Sequence, residues 1–441
     1  MTVAKARRRP HSLFFRAQDG ARRGIDRVMD LDHDVAASIF TEFDAARITQ
    51  EAEAMDQRAQ SAALRPPLLG VTMSIKDLFD ETGCVTGAGS AYYSGGMPAG
   101  RDALVISRLK AAGVLPFGRT NMSELAYSGL GLNPHYGTPS NALDDERVSG
   151  GSSSGAAASV ALGLCDAALG TDTGGSVRIP AAFNGLFGFK PSSQSVPMEG
   201  VFPLSGSYDS IGPLARSLDL CADLYSVLSA QRRPEPTIGG LRGIRIGLLE
   251  TVMTDDLDDQ VSSDFDRALR CLRNAGADIE EAPAPFAMEA KNINPVIVGA
   301  EAYQNHRAHM EGLRRQGDPF IIERVMMAHS VGAPELHEAR EQRRDAIDAY
   351  TQLFTDYDVL IAPTTACVAP TLDDVLEDFK TWNALALRNT SIINMTDGCA
   401  VTVPMQAPNA LGSGLMVMAE NGGDWKALEV AGLISSAIRW Q

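Results

Sequence analysis

No stretch of this 441-residue sequence approaches the roughly 18 uninterrupted apolar residues that span a bilayer. A chain built of transmembrane helices is therefore not expected. Cysteine is sparse and scattered: Cys84, Cys165, Cys221, Cys271, Cys367 and Cys399 form no C-x-x-C pair and no dense framework. Free thiols in a reducing cytoplasm follow, not a disulfide scaffold. Basic charge is outnumbered, with 39 Lys and Arg against 55 Asp and Glu and a formal charge of −16. A surface of that sign repels a nucleic-acid backbone, so direct DNA or RNA binding is not expected. Neither G-x-x-x-x-G-K-[ST] nor a G-x-G-x-x-G after a strand occurs, which removes the common phosphate-cradling loops. Repeats and low-complexity tracts are missing too. These absences predict a soluble, cytoplasmic protein with no membrane partner.

What is present is the composition of a globular protein with a sizeable core, 44% hydrophobic and 21% charged. The first 30 residues are locally basic. "RRRPHSLFF" resembles a twin-arginine export signal, but neither a long apolar segment nor a small-residue cleavage site follows it, so residues 1–30 read as a solvated basic tail. Ala36, Ile39, Phe40 and Phe43 recur at helical spacing and predict a helix over about 34–58. "PPLLGVTMSIKD" (66–77) reads as a buried strand running into a loop, and "ALVISRLKAAGVLPFGRTN" as a helix, a stop at Gly113 and a second strand. An Ala-rich helix over 156–164 lies between glycine clusters. A linker or surface loop is predicted over 229–243. Beyond it, "IRIGLLE", "DQVSSDFDRALRCLRNAGA" and "DIEEA" form a strand-helix-strand unit, with further strands at "YDVLIAP" and "LMVMA". This alternation implies a layered α/β fold. Neither half has a complete set of strands, so one sheet built from both is expected.

The chemistry lies in the glycine loops. "GSSSG" (151–155) matches G-x-S-x-G, which would make Ser153 a nucleophile. An elbow of that kind follows a buried strand, whereas "NALDDERV" is polar and acidic. It also needs a histidine, and His306, His309, His329 and His337 all lie in charged, helical surroundings. Lysine can replace histidine as the base when burial removes its charge, and Lys76 follows the apolar "LLGVTMSI". In "GTDTGGSVRIP" (170–180), glycines before Ser176 leave backbone N–H groups free to converge on one point. A developing oxyanion requires such a point.

From about Leu68 to Leu220 the motifs "GVTMSIKD", "GRTNMSEL", "GGSSSG", "GTDTGGSVRIPA", "GLFGFKP" and "SYDSIGPLARS" stand together in order. In this the chain resembles the amidase signature enzymes. The resemblance implies one large central mixed β-sheet flanked by α-helices on both faces. It also implies a single domain over 31–441, with a signature core at about 68–220 and a pocket-shaping half at about 240–441. It implies a Ser-cisSer-Lys triad: Ser176 as nucleophile, Ser152 as the relaying serine with an unusual cis peptide, Lys76 as base. Thr173, Gly174 and Gly175 would form the oxyanion hole, with Asp172, Arg178 and Ser153 supporting the loop. Many members read "GGSSGG", so Ser154 is a departure that leaves the triad untouched. Such chemistry requires neither metal nor organic cofactor.

The implied activity is hydrolysis of a small carboxylic amide to carboxylate and ammonia. Alternatives are the glutamine-hydrolysing component of a tRNA-dependent amidotransferase, or an enzyme for bulkier amides or esters. A binding module without chemistry would be expected to have lost a triad residue, and all three are present. Homodimerisation is left open. In the second half, Tyr303 and Arg307 are four apart and would share a helix face toward substrate, or simply face solvent. Arg388 would hold a substrate carboxylate by two hydrogen bonds, or equally pair with a structural acid.

Overall fold

The computed structural model describes residues 16–61 and 65–440. Its strands are β1 (Phe40–Glu42), β2 (Thr72–Lys76), β3 (Leu115–Thr120), β4 (Ser140–Asn141), β5 (Asp144–Val148), β6 (Ala167–Asp172), β7 (Phe187–Lys190), β8 (Ser210–Ala215), β9 (Arg245–Leu248), β10 (Asp278–Glu281), β11 (Val359–Pro363), β12 (Cys399–Pro404) and β13 (Gly414–Ala419). Eleven of them form one sheet in the order β1-β3-β2-β6-β8-β7-β12-β13-β11-β9-β10, and β4 pairs with β5 alone. Both halves of the chain contribute strands, as expected. The sheet is mixed: β3, β2 and β6 run parallel, β6 through β11 alternate, and β11, β9 and β10 are parallel again.

Alternate residues of a strand point to opposite faces, and here each face has its own core. On β6, Ala167 and Leu169 enter one buried cluster while Ala168 enters the other. Strands covered on both sides need no polar alternation, and every residue of β2, β6 and β8 is buried. This explains why the segment ending in Lys76 reads as a continuous apolar run.

Two expectations are corrected. Residues 17–29 are a helix, Ala17–Met29, and not a solvated tail. Asp56 accepts hydrogen bonds from the backbone N–H groups of Ala17 at 2.6 Å and Gln18 at 3.1 Å, closing the helix start. Ala17, Ala21 and Val28 enter the smaller core, and Arg22, Arg23 and Arg27 occupy the exposed face. Residues 1–15 of the predicted tail lie outside the described residues. The helix predicted over 34–58 is two, His33–Ile39 and Ala45–Ser61, divided by β1. Pairing Phe40 with Thr120 at the sheet edge, and burying its ring, overrides the local helical period.

The remaining elements fall where the sequence places them. They include the helices Leu104–Ala111, Ser154–Ala161 and Asp259–Asn274 and the unpaired run 231–243. All six cysteines are free. No helix among the described residues is long and apolar enough to cross a membrane.

Candidate active site

Lys76 ends β2 and Asp172 ends β6, so two parallel neighbours deliver both residues to one edge of the sheet. Open α/β sheets bind ligands outside such carboxyl ends. Lys76 is fully buried, with Nζ 2.8 Å from Ser152 Oγ and 2.8 Å from Thr171 Oγ1. Burial pushes its ammonium down from 10.5 to about 7, against the opposing pull of Asp172 and Asp209. A neutral amine donating to Thr171 Oγ1 keeps a lone pair for the Ser152 proton. Lys190 is also buried, but its Nζ donates to the carbonyls of Pro191 at 2.8 Å and Gly398 at 2.7 Å, which have no proton to give.

Ser152 lies in the loop before the helix Ser154–Ala161, and its peptide bond with Gly151 is cis. A Cβ at Gly151 would lie 2.5 Å from the backbone nitrogen of Gly131, so only glycine admits this approach. Ser153 is buried and donates to the carbonyl of Thr171 at 3.4 Å. The strand before it, β5, belongs to the small hairpin and not to the central sheet, so "GSSSG" lacks the setting of a nucleophile elbow.

Ser176 lies across the loop at the wall of a cavity of about 620 Å³, which Thr173 and Gly174 also line. The loop is held from three sides. Thr390 Oγ1 donates to the carbonyl of Gly174 at 2.6 Å, and Thr173 Oγ1 donates to Asp209 Oδ1 at 2.5 Å. Burial pushes the Asp209 carboxyl up to about 6, although the Thr173 hydroxyl and the N–H groups of Ser205 and Leu204 favour its charged form. Gly175 has φ +138°, and a Cβ there would lie 2.1 Å from Thr390 Oγ1. Gly175→Ala is therefore expected to displace the Thr390 anchor and lower kcat about 10²–10³-fold, the loss typical of one misplaced oxyanion donor. Steady-state turnover on a protein with unchanged circular dichroism checks this.

The third support is an ion pair with no exposed surface. Arg178 donates to Asp172 through Nε at 3.0 Å and Nη2 at 2.9 Å, and Asn394 Nδ2 donates to Asp172 Oδ1 at 2.9 Å. Burial alone would push the Asp172 carboxyl up, but Arg178 holds it down at about 2. Removing one partner of such a pair strands a buried charge, at a cost of about 3–5 kcal/mol. Arg178→Met is expected to destabilise the protein by that amount in urea denaturation, measured at pH 7.

Of the candidate substrate contacts, the structure brings only Arg388 to the cavity wall. Tyr303 is half-buried with its ring centroid 5.2 Å from that of His329, and Arg307 is exposed in the turn after the helix Ala290–His306. The reason is helical phase. Lys291, Asn294, Pro295 and Val298 face the cavity at three- and four-residue spacing, and Tyr303, five residues past Val298, points away. None of the four downstream histidines lines the cavity. Sequence reasoning missed Thr171, Asp209, Thr390 and Asn394. Thr171 and Asp209 stand inside quoted motifs, whereas Thr390 and Asn394 carry no local signal.

The mixed sheet, the glycine loop and the cavity define an α/β enzyme of the C–N hydrolase class. The chain belongs to the amidase signature family, whose Amidase model matches residues 21–428. It is 33% identical over 390 residues to 2-amino-5-chloromuconic acid deaminase of Comamonas testosteroni, covering 86% of this chain and 84% of the relative. It is 32% identical over 391 residues to Amidase 1 of Oryza sativa subsp. japonica, covering 82% of this chain and 89% of that one. The glutamine-amidotransferase branch is as near: the Glutamyl-tRNA(Gln) amidotransferase component of this family from Acidothermus cellulolyticus is 30% identical over 466 residues, covering 96% of this chain and 91% of its own. A solved crystal structure of an amidase superimposes with TM-score 0.87 at 28% identity, covering 96% of each chain.

Proposed function

We propose that the protein hydrolyses the C–N bond of a small carboxylic amide through a seryl acyl-enzyme, releasing carboxylate and ammonia. The observation that carries this reading is the buried Lys76 amine, held near neutrality against Ser152 behind a loop that presents Ser176 to the cavity. Lys76 takes the Ser152 proton, Ser152 takes the Ser176 proton, and Ser176 Oγ attacks the carbonyl carbon. The electron pair displaced onto the carbonyl oxygen is held by N–H groups of Thr173, Gly174, Gly175 and Ser176. The relay runs backward to protonate the leaving nitrogen, and water then attacks the ester carbon to free Ser176. Hydrogen bonds of such relays tighten when substrate arrives.

This reading makes the protein a self-sufficient cytoplasmic enzyme, alone or as a homodimer, and its six free thiols support that compartment. Similarity to the glutamyl-tRNA(Gln) amidotransferase component supports a second reading, a glutaminase that passes ammonia to a partner. The test is ammonia release from malonamide, glutamine, indoleacetamide, mandelamide, benzamide and allophanate, with Ser176→Ala as the blank. Release from one amide, lost in the variant, supports the first reading. Release from glutamine only with a co-purified partner supports the second.

A further inference from the structure

On a chain of formal charge −16, the cavity beside Ser176 has the opposite sign. Its charged lining residues are Lys291, Arg324 and Arg388, and no carboxylate joins them among the described residues. The three cations differ in what is left of their donors. Arg324 lies over the Tyr127 ring at 4.1 Å and donates to the Tyr127 carbonyl, so it is already engaged. Lys291 is exposed at the rim.

Arg388 is held but not satisfied. Its Nε donates to Asn389 Oδ1 at 3.1 Å. The Asn389 amide is fixed in turn, donating through Nδ2 to the carbonyls of Met253 at 2.8 Å and Pro363 at 2.9 Å. Arg388 Nη2 is buried with no hydrogen-bond partner. Asp255 and Asp256 are the acids that act on Arg388 through space; both are exposed, and no described carboxylate lies within ion-pair distance of its guanidinium. A buried, unsatisfied guanidinium donor is costly unless something completes it. A planar carboxylate matches its fork geometry best. Between Arg388 and Ser176 the wall is largely apolar, with Val252, Val298, Leu385 and Leu387.

We infer that the substrate is the monoamide of a dicarboxylic acid, its free carboxylate on Arg388 and its apolar spacer along the cavity wall, with the amide at Ser176. This inference rests on the seryl acyl-enzyme reading for the position of the amide but not for the binding of the carboxylate, and the two are tested separately. Calorimetry on the Ser176→Ala protein measures binding of adipamic acid, succinamic acid and the neutral hexanamide and butanamide. Ammonia release by wild-type protein measures turnover of the same four compounds. Each acid is expected to bind and to react at least about 10-fold better than the neutral amide of equal length, as for a charge-assisted pair. Arg388→Met is expected to collapse that ratio toward one, and Arg388→Lys to restore part of it. A neutral amide that equals its acid partner at both lengths, or a ratio unmoved in Arg388→Met, overturns the inference. Acid binding that depends on Arg388 while Ser176→Ala still releases ammonia would uphold the carboxylate site and overturn the nucleophile.

Discussion

Ser176→Ala is expected to lower kcat by at least about 10⁴-fold while leaving unfolding free energy within about 1 kcal/mol of wild type. The two halves of that expectation come from different observations. Ser176 is the hydroxyl on the cavity wall, whereas Ser152 and Lys76 are fully buried behind it. Only Ser176 can meet the substrate carbonyl directly. Removing the nucleophile of a catalytic unit leaves only what the oxyanion hole and binding supply, and such losses reach 10⁶-fold in hydrolases that use a serine. Stability is spared because Asp172, Thr173 and Gly174 have their own anchors in Arg178, Asp209 and Thr390. Deleting one oxygen at the edge of a cavity also opens no new void of consequence. Burst-phase kinetics on wild type and denaturation of both proteins test the two halves. A variant that turns over within 10-fold of wild type removes Ser176 from the mechanism. One that loses several kcal/mol makes its inactivity uninformative.

The parts of the site that were legible share a physical property: they are local. "LLGVTMSIKD" places a lysine at the end of a strand buried on both faces. "TDTGGS" places a serine behind two residues without side chains, one of them at φ +138°. Such features need only the chain within a few residues. The Asn394 amide that bonds Asp172 comes from 222 residues away, and no spacing along the chain announces it. The same holds for Thr390, which reaches the Gly174 carbonyl across 216 residues.

The misreadings have an equally definite cause. Arg22, Arg23 and Arg27 made the N-terminus look solvated, yet they occupy one face of a helix whose Ala17, Ala21 and Val28 are core. Periodicity, not charge density, governs such a segment. Tyr303 and Arg307 do lie one helical turn apart, but the phase of the helix is set by Asn294, Pro295 and Val298 against the cavity. A pair spacing says that two residues share a direction; only the partner surface says which direction it is.

Lys76→Met is expected to be as damaging to turnover as the serine substitution, and to change the response of the protein to pH in a way the serine substitution does not. Methionine keeps the unbranched length and loses the base. Loss of an acid–base group removes about 10²–10⁴-fold, and because the relay acts as a unit, the double variant with Ser176→Ala should be no worse than the less active single one. In wild type the active form is the neutral amine, so kcat/KM should rise tenfold per pH unit up to about 7 and then level off. The same burial shapes stability. With the folded ammonium lowered to about 7 against an ordinary 10.5, the native state holds fewer protons than the unfolded chain between those values. Stability from this group therefore rises with pH across that window. Below about 7 the cost of burying the charge is full, on the order of 5 kcal/mol, and by about 10.5 it is gone. Lys76→Met removes this cost at every pH but leaves Ser152 and Thr171 short of a partner at every pH. The difference in unfolding free energy between variant and wild type should therefore favour the variant most at pH 6 and move steadily toward wild type by pH 10. Urea titrations at pH 6, 8 and 10 measure it. A difference that stays flat with pH would mean that Lys76 is charged at neutral pH like an ordinary lysine, and the base of the reaction would have to be sought elsewhere.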